Sequence, residues 1–352
     1  MAGGPEGVST ARGQETETEG GCMPETMRAI VISEFGGPEV LELREVTSPQ
    51  MGPKEILVRV RASGLNRADL LQRRGLYPAP FGSPQDIPGL EYAGVVEAMG
   101  SEVSLWSVGD RVMGIVGGGG YGEFVSVHER AAVRVPAGVP LESAGAIPEV
   151  FMTAFDALFR QMNLSEGETV LVHAVGSGVG TAAVQLCKAA GVRSIGTSRT
   201  LDKVDRALGL GLQLGIVADE GWPERVLDAT RGAGVDLILD LVGGGYMEGN
   251  LKVLGEGGRQ IVVGVPSGAK AQVDLRVLMA KRALLKGTVL RARPLEERIS
   301  LAREFERRVC PLFAARTVLP VVDSTFTPAE AAEAHQAMEE NRNFGKILIL
   351  WD

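Results

Sequence analysis

Residues 169–191, TVLVHAVGSGVGTAAVQLCKAAG, decide the fold. A short apolar run, Thr169 to Val172, meets a turn containing Val175, Gly176, Ser177, Gly178, Val179 and Gly180, and an alanine-rich helical stretch follows to Ala190. Buried strand, glycine turn and helix form the arrangement that holds a dinucleotide. Glycine lets backbone N–H groups approach the pyrophosphate, and the helix N-terminus offers unpaired donors and a partial positive charge. Gly180 removes a side chain where the helix meets the strand. The G-x-G-x-x-G fingerprint is incomplete, because Val175 and Ser177 occupy its first two glycine positions. A tight strand-to-helix turn without a ligand is the alternative reading of the turn alone.

Downstream, a strand at 193–197, a helix from Leu201, and strands at 234–240 and 259–264 flanking a helix around 246–254 continue the alternation. Strands alternating with helices predict βαβ units and a doubly wound parallel sheet. An NAD site wants Asp or Glu at the end of the second strand, about 20 residues after the glycines, to hold the ribose 2′-hydroxyl. This chain has Thr197-Ser198-Arg199, with Lys203 one helical turn on. Ser198 can hydrogen-bond a 2′-phosphate, and Arg199 and Lys203 can neutralise it, which favours NADPH over NADH. A solvated helix start is the other reading of the two cations.

Upstream, from Met27 to about Pro148, the chain reads as short strands. In EILVRVR (55–61), Ile56, Val58 and Val60 alternate with charged residues, with Leu57 the exception. That is the period of a half-buried strand. Further strands are expected at 28–32, 40–46, 92–98, 110–116 and 123–127, which together suggest a small β-barrel. Beyond Pro294 one long amphipathic helix is expected through Leu295, Ile299, Phe305 and Leu312. A strand, a helix and a last strand, Lys346 to Trp351, then close the chain. The expected layout is a disordered extension at 1–26, a barrel-like catalytic part at 27–149, a nucleotide-binding part at 150–290, and a return to the catalytic part at 291–352. Gly117 to Gly120 reads as a flexible loop, and His173 as a satisfied core histidine. Asp240 reads as a cap on backbone N–H groups, and Arg291, Arg293 and Arg298 read as a solvated helix surface.

Composition narrows the function classes. Of 352 residues, 45% are hydrophobic and 23% charged, the profile of a globular protein of about two domains. With 36 basic against 44 acidic side chains the net charge is −8, which argues against nucleic acid as a partner. Three cysteines are too few for a disulfide framework, and three histidines make the chain poor in metal ligands. The first 26 residues hold no apolar run of a secretory signal. Residues 169–187 carry no formal charge, but His173, Gln185 and the glycines argue against a membrane span. A cytoplasmic protein without membrane contact is expected.

From Met27 onward the sequence resembles the zinc-free, zeta-crystallin-like quinone oxidoreductases of the medium-chain dehydrogenase/reductase superfamily. The segments that carry the resemblance are Gly167-Glu168-x-x-Leu171 with the glycine turn, Gln185-x-x-Lys188, FGGPEVLEL (35–43), LNRADLLQRRGLYPAP (65–80), AGAIPEVFMTAF (144–155), GVDLILDLVGG (234–244) and NFGKILIL (343–350). The nearest likeness is to the branch holding a tumour-suppressor-inducible quinone oxidoreductase. The resemblance implies a GroES-like β-barrel catalytic domain split by a Rossmann domain, and a homodimer pairing through the β-rich stretch near 284–290. Zinc-dependent relatives place a Cys and a His where this chain has Asn66 and Leu90, and the four-Cys structural lobe is missing. No metal is therefore expected.

Without a Lewis acid, an easily reduced acceptor suits the site better than an alcohol, because conjugation spreads the incoming charge. The resemblance places Asn66 as a donor to a developing oxyanion and Tyr77 as an active-site tyrosine. It places Thr153, Gly243, Val263, Gly264, Val265, Asn343 and Lys346 at the cofactor, with Gly244 beside Gly243. Asn66 as a turn residue and Tyr77 as a loop anchor are the bland alternatives. A tyrosine that the group often has near 218, against the 2′-phosphate, is replaced by Ala218-Asp219. An NADPH-dependent quinone reductase is the first reading. An NADPH-dependent enone or enoyl-thioester reductase is the second, and a non-catalytic NADPH-binding protein the third.

Overall fold

The computed structural model describes residues 24–352. Six strands form one sheet in the order Leu214–Val217, Arg193–Ser198, Thr169–Val172, Val235–Asp240, Leu254–Val262, Leu284–Gly287. Every pairing is parallel. Both faces are covered, which is why these strands read as unbroken apolar runs. Val170, Val172, Leu237 and Leu239 enter one buried cluster, while Leu171, Ile195, Ile216 and Ile238 enter the cluster on the opposite face. The strand order reverses between Thr169–Val172 and Val235–Asp240. In doubly wound sheets ligands bind at that switch point.

A second, seven-stranded sheet gathers the two ends of the chain. Val322–Phe326, Lys346–Leu350, Glu55–Gly64, Glu91–Met99, Arg111–Ile115 and Val133–Arg134 lie side by side, and Phe124–His128 pairs with residues 55–59 on the edge opposite Glu91–Met99. Leu348 to Leu350 pair antiparallel with Ala62 to Gly64. Thr26–Ile32 and Leu41–Thr47 make a separate antiparallel pair. Leu57, the exception to the alternation, is buried like its neighbours Ile56 and Val58.

Several expectations need correction. The long helix after Pro294 is two helices, Leu295–Arg308 and Cys310–Ala314. Pro311 has no N–H to continue the ladder, so the axis breaks at Val309. The strand expected at 259–264 begins at Leu254 and ends at Val262. The short strand Leu214–Val217 had no expectation attached to it. Gly117 to Gly120 are all buried. A Cβ on Gly118 would lie 2.8 Å from Pro84 O, and one on Gly120 2.8 Å from Glu91 O, so these glycines permit close packing. Arg291 is 3% exposed and donates to Gly117 O at 2.7 Å, and Arg293 donates to the buried Asp156 at 2.6 Å. Neither belongs to a solvated face. Residues 1–23 of the expected extension lie outside the described residues, and the first strand begins at Thr26. No helix among the described residues is long and apolar enough to cross a membrane.

Candidate active site

The glycine turn is built by close approaches. A Cβ on Gly180 would collide with Ala174 O and lie 2.7 Å from Val175 Cα, so the helix could not seat against the strand. Ala174 itself adopts φ +50, a left-handed conformation that costs a non-glycine residue energy and is typical of functional turns. The two departures from the fingerprint have structural uses. Val175 is fully buried, and a Cβ on Gly196 would collide with it. Ser177 caps the helix Gly178–Ala189, its Oγ accepting the Gly180 N–H at 3.1 Å. Gly178 and Val179, at the helix start, have N–H groups without an intrahelical acceptor. That end of the helix therefore fits an anionic pyrophosphate. Gly345 donates to Gly176 O at 2.9 Å, tying the turn to the C-terminal segment.

Beside Gly176 lies a group of cations. Lys203 packs its stem against Gly176, where an added Cβ would lie 2.8 Å from Lys203 Cδ. Its ammonium is held below the usual lysine range by burial first, then by Arg199, with Arg67 and Arg206 adding to it against Asp323. Lys203 Nζ donates to Asn341 O at 2.5 Å, and Arg67 donates to Asn341 Oδ1. Ser198 is buried at the strand end. Sequence reading found Ser198, Arg199 and Lys203 but not Arg67, which arrives from the catalytic part. Asp219 is tied to Arg225 at 2.5 Å and to the Gly221 N–H at 2.9 Å, so its charge is compensated.

His173 and Asp240 behave as read. His173 pairs with Thr197 Oγ1 and Asn250 Oδ1, both at 2.7 Å. Asp240 Oδ1 accepts from the N–H groups of Val242 and Gly243, both at 2.8 Å. Gly243 has φ +90, and an added Cβ would lie 2.7 Å from Val265 Cα. The turn Val265–Gly268 therefore packs against it. Val263 and Gly264, just after the strand Leu254–Val262, are half-buried, and Val265 is exposed. Asn343 donates to Gly345 O at 2.8 Å and shapes the turn before the last strand.

The acceptor side centres on Asn66, Glu91 and Lys346. Asn66 Nδ2 donates to Glu91 Oε1 at 2.9 Å and to Gly64 O at 3.1 Å, and its Oδ1 accepts from Lys346 Nζ at 2.7 Å. Lys346 Nζ also lies 2.7 Å from Glu91 Oε1 and donates to Leu65 O. The carboxylate and the ammonium fix which way the amide points. Two expectations change here. Both amide hydrogens of Asn66 are spent, so it has no free donor for an oxyanion. The three donors of Lys346 are spent as well, so its ammonium holds Asn66 and has none left for a cofactor.

Tyr77 is half-buried, with the Arg291 guanidinium 5.3 Å from its ring centre and burial pushing its hydroxyl up. Thr153 is buried on the helix Pro148–Phe155. One turn earlier on that helix stands Glu149, which sequence reading missed. Its N–H donates to Glu91 Oε2 at 2.8 Å, and no donor among the described residues reaches its Oε2. Burial first, then the Glu91 carboxylate, pushes its carboxyl up to about 8. The sequence signal was an acid inside the apolar stretch AGAIPEVFMTAF.

These residues do not fit zinc. Leu90 is buried and carries no ligand atom, Asn66 is already engaged, and no group of three His, Cys, Asp or Glu among the described residues could hold a metal ion.

Comparison with known proteins agrees with this architecture. Residues 52–137 match the family described as the alcohol dehydrogenase GroES-like domain, and residues 178–306 match the family described as zinc-binding dehydrogenase. A quinone oxidoreductase of Pseudomonas aeruginosa is 35% identical over 329 residues, covering 92% of this chain and 99% of that protein. Among solved structures, an NAD-dependent alcohol dehydrogenase superposes with a TM-score of 0.83 at 31% identity, covering 93% of this chain and 100% of its own. A mycobacterial protein complexed with NADPH superposes with a TM-score of 0.81 at 31% identity, covering 92% of this chain and 100% of its own. With a glycine turn at the switch point and a catalytic sheet closed by its own C-terminal strand, this chain belongs to the quinone oxidoreductase family of the medium-chain dehydrogenase/reductase superfamily.

Proposed function

We propose that the protein is an NADPH-dependent quinone oxidoreductase that works without zinc. The observation that carries this reading is the pairing of a cationic nucleotide cradle with an acceptor site whose metal-ligand positions hold Leu90 and a fully engaged Asn66. NADPH, when bound, supplies a hydride from its nicotinamide. The chain's own residues bind, orient and exclude water. The start of the helix Gly178–Ala189 faces the pyrophosphate, and Ser198, Arg199 and Lys203, joined by Arg67, receive the 2′-phosphate. Thr153, Val263 and Gly264 border the nicotinamide. The Tyr77 hydroxyl offers a hydrogen bond to the acceptor, and Asn66, locked from two sides, forms a rigid wall.

The cation group supports NADPH over NADH, since like charges gathered around a glycine turn are stabilised by an arriving anion. The NAD-dependent relative makes the nucleotide preference the first thing to measure. Turnover of a panel of quinones and α,β-unsaturated carbonyls, each with NADPH and NADH, tests the reading. Quinone reduction with NADPH preferred is the expected result. Turnover of enones with inert quinones would replace it by the double-bond reductase, and tight NADPH binding without turnover of any acceptor would replace it by a binding protein.

The same reading includes a homodimer. Leu284–Gly287 is an edge strand, and Leu275, Met279, Leu284 and Val289 around it are exposed. An uncovered edge with apolar neighbours is suited to pairing with a second copy. Sedimentation giving a monomer at all concentrations would remove this part. The cytoplasmic placement fits the free, buried thiols of Cys187 and Cys310.

A further inference from the structure

We propose that Glu149 is the proton donor of the reaction, its carboxyl delivering to the hydride-reduced acceptor the proton that completes reduction. This rests on the oxidoreductase reading above and deepens it. Reduction of a quinone needs a hydride and a proton, and the groups around the acceptor site can be taken in turn. Asn66 has both amide hydrogens bonded to Gly64 O and Glu91. Lys346 has its donors on Glu91, Asn66 and Leu65 O. Arg291 donates to Gly117 O, Tyr77 O and Gln72, and a guanidinium does not give up its proton. Asp69 is fully buried, and its oxygens accept from Asn66 N, Gly89 N and the Tyr121 hydroxyl. Glu91 accepts from Asn66, Lys346 and the Glu149 N–H. The Tyr77 hydroxyl is pushed up by burial, which makes it a weaker acid.

Glu149 differs from all of these. Its Oε2 is itself buried and has no donor among the described residues, and it precedes Thr153 by one helical turn, on the same face. The titratable groups that face it are Glu91, Asp69, Lys346, Arg291 and Tyr77. Burial and the two carboxylates favour its neutral form, while Lys346 and Arg291 oppose this. The outcome is an acid that still holds its proton near neutrality, the range in which a general acid is most effective.

The step balances. The acceptor takes a hydride from the nicotinamide and is reduced by two electrons, while the nucleotide is oxidised. The O–H bond of Glu149 breaks, a new O–H bond forms on the acceptor oxygen, and the carboxylate regains a proton from water.

The test compares wild type, Glu149→Gln and Glu149→Asp. In wild type, kcat for quinone reduction is expected to fall as pH rises through about 8. Glu149→Gln should bind NADPH with unchanged affinity, lose about 100-fold or more in kcat, and lose that pH limb. Infrared difference spectra of the proteins without nucleotide should show the carbonyl stretch of an un-ionised carboxyl in wild type, absent from Glu149→Gln. Wild-type kcat and pH profile in Glu149→Gln, or no un-ionised carboxyl in wild type, would overturn the proposal alone. A wild type that binds NADPH but reduces no acceptor would remove the function proposed above as well. Should Glu149→Gln fail to fold, Glu149→Asp decides, since a displaced alkaline limb supports the donor role and an unmoved one excludes it.

Discussion

Lys346 Nζ and Glu91 Oε1 lie 2.7 Å apart with side chains 3% and 0% exposed, one from the last strand of the catalytic sheet and one from an early strand. Each charge is compensated by the other and by the polar atoms of Asn66 and Leu65, and Glu91 also accepts the Glu149 N–H. Gly64 makes room for the pair, because a Cβ there would collide with Glu91 Oε1.

Removing one partner should cost more than removing both. Lys346→Met leaves a buried carboxylate unpaired and is expected to destabilise the protein by about 3–5 kcal/mol. Lys346→Met combined with Glu91→Leu should recover a large part of that loss while turnover stays low, since Asn66 is then released. Urea unfolding of the two single variants and the double variant checks this. A double variant as unstable as the sum of the singles refutes it.

Arg199 and Lys203 should set nucleotide choice. Lys203→Ala removes a cation next to Gly176 and is expected to lower kcat/KM for NADPH by about 10- to 100-fold, the range of one charge-assisted hydrogen bond, with NADH little affected. Arg199→Ala should act in the same direction. Parallel kinetics with both nucleotides measure it, and an equal loss for NADPH and NADH would assign Lys203 to holding Asn341.

His335 should make the protein acid-sensitive. It is buried between the Tyr121 hydroxyl, 3.1 Å from Nε2, and Arg73, 3.2 Å from Nδ1. Burial, then Arg73, pushes it down from 6.5 to about 3. An unfolded chain therefore gains a proton near pH 6.5 that the folded chain refuses until about 3. Stability from this group is present above 6.5 and is lost as pH falls through that window, by an amount on the order of a few kcal/mol. His335→Gln should flatten the decline over that range. Melting temperatures of the two proteins as a function of pH provide the check, and parallel curves would count against it.

Two glycine-to-alanine changes should have opposite signs. Gly180→Ala places a methyl against Ala174 O and Val175 Cα and should cost about 1–3 kcal/mol together with nucleotide affinity. Gly209 lies inside the helix Leu201–Leu210 with nothing within 4 Å of its would-be Cβ. Gly209→Ala should stabilise by about 0.5–1 kcal/mol with binding unchanged. Thermal melts with and without NADPH distinguish the two.

The nucleotide-binding half was legible because its signals are local. Strand, turn and helix follow one another within residues 169–190, and continuous apolar runs announce the parallel strands. What the sequence concealed is long-range. Nothing near Lys346 announces that its ammonium ends on Glu91 and Asn66, so it read as a cofactor contact. Arg291 stands among exposed charges such as Glu296 and Glu297 and reads like them, yet it runs inward to Gly117 and Gln72. An acid inside an apolar helix marks Glu149 as unusual, but it gives no clue to the carboxylates and cations that other elements bring around it.

The pairing of Leu348 to Leu350 with Ala62 to Gly64 has a consequence for biosynthesis. Residues 169–287 contain every strand of the parallel sheet, so that half can assemble while the chain is still emerging from the ribosome. The other half must wait with an open seam along residues 62–64 until the segment bearing Lys346 is made. Loss of the strand Lys346–Leu350 would therefore leave the half that receives the acceptor unsealed while every strand of the parallel sheet stays in place.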